Sequence, residues 1–241
     1  LACQAIDEIF RRGHLPFLVG GSGLYITAIT SGLRIPEIPP DPELRRELEA
    51  LVRSRGAEWL HWQLREVDPQ AANRVDPRNV RRVVRALEVY RATGVPFSHW
   101  QRRERPPYAA LMLGLTMERG DLYRRIDERV DRMIALGLVD EVRGLAARGY
   151  GFDLPAMSGL GYGEIGRYLQ GKASLEEAVQ LIKHHTHRFV RHQYNWFRLS
   201  DSNIRWLQVQ SGLEKLARNL VAEHLERCCA GGFFLADRPP T

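Results

Sequence analysis

The sequence predicts an α/β fold, a parallel-sheet core interrupted by a helical insert, and three observations carry that prediction. Two short apolar runs, Leu15–Val19 and Ala109–Thr116, are bounded by glycine or proline and flanked by stretches of helical periodicity, as expected of strands buried in a parallel sheet. A third segment, Ile204–Val209, alternates apolar and polar side chains. Four prolines crowd positions 36–42, a second pair stands at Pro106-Pro107, and the stretch between them shows only helical patterning.

The elements follow in order. Ala2–Arg12 places Ile6, Ile9 and Phe10 on one helical face and stops at Gly13. The Leu15–Val19 strand leads through Gly20-Gly21-Ser22-Gly23 into a helix from Leu24 to Ser31. In the insert, Asp76 is suited to cap a helix that has Pro77 in its first turn and Gly94 at its end. Beyond Gly120 the pattern is helical, with short glycine breaks, as far as Phe197, and Gly212–Cys228 reads as a last amphipathic helix. The expected division is an α/β core of residues 1–33 and 106–227, a helical insertion domain at 34–105, and a tail at 228–241.

Composition narrows the class. The 241 residues are 44% apolar and 27% charged, which excludes disorder and collagen-like repeats. No run approaches the roughly 18 consecutive apolar residues of a membrane span, and Leu1–Arg12 lacks the succession of a secretory signal, so a cytoplasmic protein is expected. Three cysteines make neither a disulfide framework nor a C-x-x-C metal spacing. The net charge of +6 suits a polyanionic partner. The insert holds most of the excess, with 15 arginines against 11 acidic residues.

Four motifs bear on chemistry. At Gly20–Tyr25 a strand hands over to a helix, where backbone N–H groups and the helix dipole favour an anion. There the Ser22 hydroxyl either donates to a phosphate or simply caps the helix. Arg78, Arg81, Arg82 and Arg85 recur at i, i+3, i+4 and i+7, one helical face suited to a phosphate backbone, with a solvated face as the alternative. Gly166–Ala173 matches G-x-x-x-x-G-K but has alanine where a P-loop needs a hydroxyl, and Ser174–Glu177 is a capping box, so this segment reads as a helix end and a helix start. The helix beyond it carries four of the eight histidines without H-E-x-x-H or nearby acids, which argues against metal. His185 falls on its apolar stripe with Leu181, Phe189 and Trp196, while Lys183, His187, Arg191 and Arg198 share a face suited to a polyphosphate.

Taken together, five segments resemble the tRNA dimethylallyltransferases, or tRNA isopentenyltransferases. They are Leu18–Tyr25; Asp76-Pro77 with Arg85–Tyr90; Gly161-Tyr162 with Glu164; Ser174–Ala178; and Arg188–Arg198. The resemblance implies a P-loop-NTPase-like core that binds dimethylallyl diphosphate and an insertion domain that grips the tRNA anticodon stem-loop. It implies transfer of the five-carbon group to N6 of adenosine 37, the base being flipped from its stack, with Mg²⁺ and arginines neutralising the departing pyrophosphate.

By residue, the resemblance implies Ser22 in the catalytic role, Arg188 and Arg191 on the diphosphate, with His192 as the competing candidate, and tRNA contacts from Arg78, Arg81, Arg82, Arg85, Ser158, Gly161, Tyr162 and Gln193. No protein metal ligand is assigned. Ser22 stands where the family usually has threonine, and Gly163 where it has a basic residue. The family's P-loop and general-base aspartate lie upstream of the Gly-Gly segment and are not in this sequence, which begins at Leu1; an N-terminally truncated, inactive monomer is therefore expected. A non-catalytic RNA-binding remnant, or an enzyme acting on free adenylate, are the alternatives; the arginine-rich insert argues against the latter, since a free nucleotide has no long backbone to grip.

Overall fold

The computed structural model describes residues 1–101 and 108–230, which form two compact units divided between Ala109 and Ala110. The Pro106-Pro107 boundary and the tail from 231 onward lie outside the described residues. The first unit comprises α1 (Ala2–Arg11), α2 (Gly23–Thr30), α3 (Pro42–Arg55), α4 (Ala57–Val67), the short α5 (Pro69–Ala72), α6 (Val80–Thr93) and the short α7 (Phe97–Trp100). The second comprises β1 (Met112–Thr116), α8 (Arg119–Ala135), α9 (Leu138–Ala147), a 3₁₀ turn at Pro155–Ser158, α10 (Tyr162–Leu169), α11 (Leu175–Trp196), β2 (Ile204–Gln208) and α12 (Leu213–Ala230).

Local signals set most of the boundaries. Asp41 accepts the N–H groups of Glu43 and Leu44, both at 3.0 Å, and Pro42 occupies the first turn of α3. Buried Asp68 caps α5 through Ala71 N–H and also accepts the Ser98 N–H at 2.7 Å, tying α7 to the bundle. Gly94 ends α6 at φ 70°, the left-handed conformation in which a side chain is strained. The apolar stripes of α3 to α6 meet in a core of Leu44, Leu48, Leu60, Leu64, Ala71, Val83 and Val84.

In the second unit Val130, Val142, Met157, Ile165, Ala178 and Ile182 join α8 to α11 around a separate core. Beside this core, β1 and β2 pair in parallel, with Met112 opposite Ile204 and Gly114 opposite Trp206. The anticipated parallel sheet is present, with two strands among the described residues. A Cβ at Gly114 would lie 2.6 Å from Trp206 Cε3 and 2.8 Å from Ile204 Cγ2, and the indole is itself fixed by Nε1–H donation to the Arg198 carbonyl at 3.2 Å. Gly114→Ala is accordingly expected to destabilise this unit by about 1–3 kcal/mol, the cost of overpacking. A urea midpoint equal to the parent's would show instead that the ring swings aside freely.

The structure corrects several sequence readings. Leu15–Val19 is not a buried strand: Phe17 is 70% and Val19 90% exposed. A strand exists only through its lateral partners, and both strands of the sheet belong to the second unit. Asp76 does not cap α6. It opens a turn closed by Asn79 N–H on its carbonyl at 2.8 Å, and Asn79 takes the cap position, accepting from Arg82 N–H. Strand β1 starts at Met112, not Ala109, and α12 runs through buried Cys228 to Ala230. The Gly166–Ala173 segment is a helix end, as anticipated: Gly166 lies inside α10, Gly171 follows it at φ 71°, and Ser174 and Glu177 form the capping box of α11. Among the described residues, no helix is long and apolar enough to cross a membrane.

Candidate functional site

The anticipated site residues fall in both units. In the first, Ser22 has extended geometry at the N-terminus of α2 (φ −80°, ψ 94°), and its carbonyl accepts Ile26 N–H at 3.1 Å. Its hydroxyl makes no capping hydrogen bond. Ser22 is exposed and Gly23 behind it is buried, so the helix N-terminus is open in front of an unoccupied hydroxyl.

The arginine face of α6 divides. Arg81 and Arg82 are exposed on its first turn. Arg78 precedes the helix and clasps Asp76 at 2.7 Å, holding that carboxyl down at about 2 through the guanidinium and backbone N–H hydrogen bonds. Arg85 turns inward. It donates to Glu88 Oε2 at 2.5 Å and to the carbonyls of Ile38 at 3.0 Å and Pro36 at 3.4 Å. Glu88, 1% exposed, also receives Arg45 at 2.8 and 2.9 Å and Asp41 N–H at 2.8 Å. Arg85 therefore anchors the proline-rich segment onto α6, and only its neighbours present open guanidinium groups.

Alongside Arg78, a cleft of about 460 Å³ is lined by Glu58, His61 and residues 72–78. His61 Nε2 lies 3.0 Å from the Ala72 carbonyl and 2.9 Å from that of Val75, so this nitrogen carries the proton.

In the second unit Ser158, Gly161 and Tyr162 lie together on the approach to α10. Ser158 Oγ donates to the Pro155 carbonyl at 2.7 Å. Gly161 adopts φ 93°, and the Tyr162 hydroxyl donates to Glu141, which raises the phenol's pKa. On α11, Arg188, Arg191 and His192 are exposed and Gln193 is half-buried.

Two readings of α11 change. Lys183 lies 2.7 Å from Asp131, and His187 Nε2 lies 2.9 Å from Asp127 with its ring stacked on Tyr123, centroids 4.1 Å apart; both are turned onto α8, leaving Arg191 and Arg198 exposed. His185 is not one of a set of core apolar contacts, since Phe189 and Trp196 are nearly half exposed; its Nδ1 lies 2.5 Å from Glu164 Oε1. Among the described residues no group of three or more His, Cys, Asp or Glu could hold a metal ion.

The family profile described as IPP transferase matches residues 1–200. The chain belongs to the IPP transferase family. It is 50% identical over 225 residues to the tRNA dimethylallyltransferase of Thermomicrobium roseum, covering 93% of this chain and 68% of that protein. The chain spans about two thirds of the length of the curated relatives it matches. Among solved structures it is similar to the tRNA isopentenylpyrophosphate transferase of Bacillus halodurans, with 40% identity, a TM-score of 0.62, and coverage of 94% of this chain and 72% of that one. A eukaryotic dimethylallyltransferase caught acting on tRNA, 23% identical with a TM-score of 0.67 and coverage of 99% and 61%, shares the fold. The fold of this IPP transferase family member is thus that of the tRNA isopentenyltransferases, mostly helical with a small parallel sheet.

Sequence reasoning named Glu164 and His185 separately but did not pair them. The G-x-x-E spacing of Gly161 and Glu164 signals the helix cap, but the partner 21 positions away has no local signature.

Proposed function

We propose that this chain forms part of a cytoplasmic, monomeric enzyme that transfers a dimethylallyl group from dimethylallyl diphosphate to N6 of adenosine 37 in the tRNA anticodon loop. The match to the IPP transferase family over residues 1–200 carries the reading. In the reaction the C1–O bond of the allylic diphosphate breaks, the N6–C1 bond forms, the N6 proton passes to a base, and pyrophosphate leaves. The residues present supply binding and charge. The Ser22 hydroxyl, unspent in its helix cap, donates to the diphosphate or to the edge of the flipped adenine. Arg188 and Arg191, exposed on α11, take the diphosphate. Arg81 and Arg82 contact the stem-loop backbone beside Arg78, while Ser158, Gly161, Tyr162 and Gln193 border the loop. Arg85 shapes this surface from within. Mg²⁺ is the counter-ion proposed for the diphosphate. The described side chains build no metal site of their own, and no step is assigned to the ion.

Binding tests the reading in this chain directly. An anticodon stem-loop RNA is titrated by fluorescence anisotropy at several salt concentrations. Arg81→Ala and Arg82→Ala are each expected to weaken binding about tenfold or less and to flatten the slope against log salt by up to about one unit, the signature of one lost phosphate contact. Variants that bind like the parent at low and high salt would reduce this face to a solvated one.

A further inference from the structure

We infer that His185 is a positioning residue: through the buried carboxylate of Glu164 it clamps the Ser158–Tyr162 segment to α11, setting the uncharged border of the RNA site against the helix that carries Arg188 and Arg191. The inference rests on the RNA-binding reading above.

The side chain of Glu164 is only 10% exposed. A carboxylate so placed is stable only if both its oxygens find donors. One oxygen, Oε2, accepts the Gly161 N–H at 2.9 Å, closing the first turn of α10. The other, Oε1, lies 2.5 Å from His185 Nδ1. The imidazole therefore presents Nδ1–H to the acid, and one buried group joins a loop amide to a helix 21 positions further along the chain. Arg188 lies three residues beyond His185 on α11, so the clamp grips that helix one turn before the arginines begin. On its other side the segment is held by the Tyr162 hydroxyl on Glu141 of α9. With φ 93°, Gly161 itself follows a path that few other residues could take. The segment is thus fixed at both flanks, and removing His185 releases the flank facing α11.

The consequences separate from those of a direct contact. Ser158, Gly161 and Tyr162 are uncharged, so displacing them costs affinity without changing the number of counter-ions released. His185→Leu fills the space but leaves Oε1 without a donor. His185→Asn carries an N–H₂ close to the position of Nδ1 and serves as the rescue variant. With the same stem-loop probe, His185→Leu is expected to bind about tenfold more weakly, the scale of one buried polar group losing its partner, with its salt slope within about half a unit of the parent's. The Gly161 amide should exchange with deuterium about tenfold faster or more, as expected of local opening, while the Ile182 amide inside α11 keeps its protection. His185→Asn should restore both binding and Gly161 protection.

Parent-like binding by His185→Leu, or a Gly161 amide that stays protected in it, would overturn the proposal. Equal losses in the leucine and asparagine variants, with a slope lower by about one unit, would make His185 a phosphate contact and overturn it as well. Failure of the parent chain to bind the stem-loop would instead overturn the functional reading, and this proposal with it.

Discussion

Replacing Ser22 by alanine is expected to lower the rate of dimethylallyl transfer about 10²–10³-fold, the loss associated with a hydrogen-bond donor that acts in the transition state. A serine that caps a helix through its side chain contributes about 0.5–2 kcal/mol to stability, but the Ser22 hydroxyl accepts no backbone N–H. Alanine should therefore leave the melting temperature of the first unit close to the parent's. Threonine, the residue the family usually has there, keeps the hydroxyl and should keep most of the rate. The measurement is single-turnover transfer from labelled dimethylallyl diphosphate to an anticodon stem-loop, with the chain extended to the length of its relatives, alongside thermal melting. An alanine variant that turns over like the parent returns Ser22 and its glycines to the role of an ordinary turn between a strand-like segment and a helix.

What the sequence revealed of this protein depended on how far apart the interacting residues lie. The capping box of Ser174 and Glu177, the end of α6 at Gly94 and the helix end at Gly171 were all legible, because each is decided within four or five residues. Strand β1 is legible as a buried run, to within three residues, and β2 as an alternating one, to within one, although nothing local announces that Gly114 lies under Trp206. Leu15–Val19 reads identically to a buried strand, and it is exposed with no strand beside it among the described residues, a pairing that periodicity does not encode. At the start of α6, Asp76 and Asn79 are both good caps. The choice fell to Asn79 because Arg78 draws the Asp76 carboxylate into a turn of its own.

The arginine face shows the same limit. Spacing placed Arg78, Arg81, Arg82 and Arg85 in one row, but Arg85 meets carbonyls 47 and 49 positions back in the chain, and Glu88 shares its carboxylate with Arg45, 43 positions back. Those partners decide which arginines remain exposed. His185 falls on an apolar stripe by its spacing, yet its ring nitrogen meets the carboxylate of Glu164, for the same reason.

Glu88→Gln is expected to destabilise the first unit by about 2–4 kcal/mol, somewhat below the 3–5 kcal/mol lost when a fully buried ion pair is broken, because Arg45 and Arg85 keep some access to water. Burial alone would raise the pKa of Glu88. The hydrogen bonds from Arg45 and Arg85, the Asp41 N–H and the charge of Arg45 outweigh burial and hold the carboxyl at about 2 rather than its ordinary 4.5. A carboxyl with a lowered folded-state pKa stabilises the fold above its unfolded value, so this contribution is complete above about pH 4.5 and is lost as pH falls toward 2. Chemical denaturation of parent and variant from pH 7 to pH 2 measures both effects: the gap between them should be widest at neutral pH and should shrink across that window. The damage should also be local. Glu88 and Arg85 together hold Asp41 N–H and the Pro36 and Ile38 carbonyls, so the 36–41 segment should become the first site of limited proteolysis in the variant. A gap that stays constant down to pH 2, or a segment cut no faster than in the parent, would mean that the apolar core of α3 to α6 holds this strap without the buried acid.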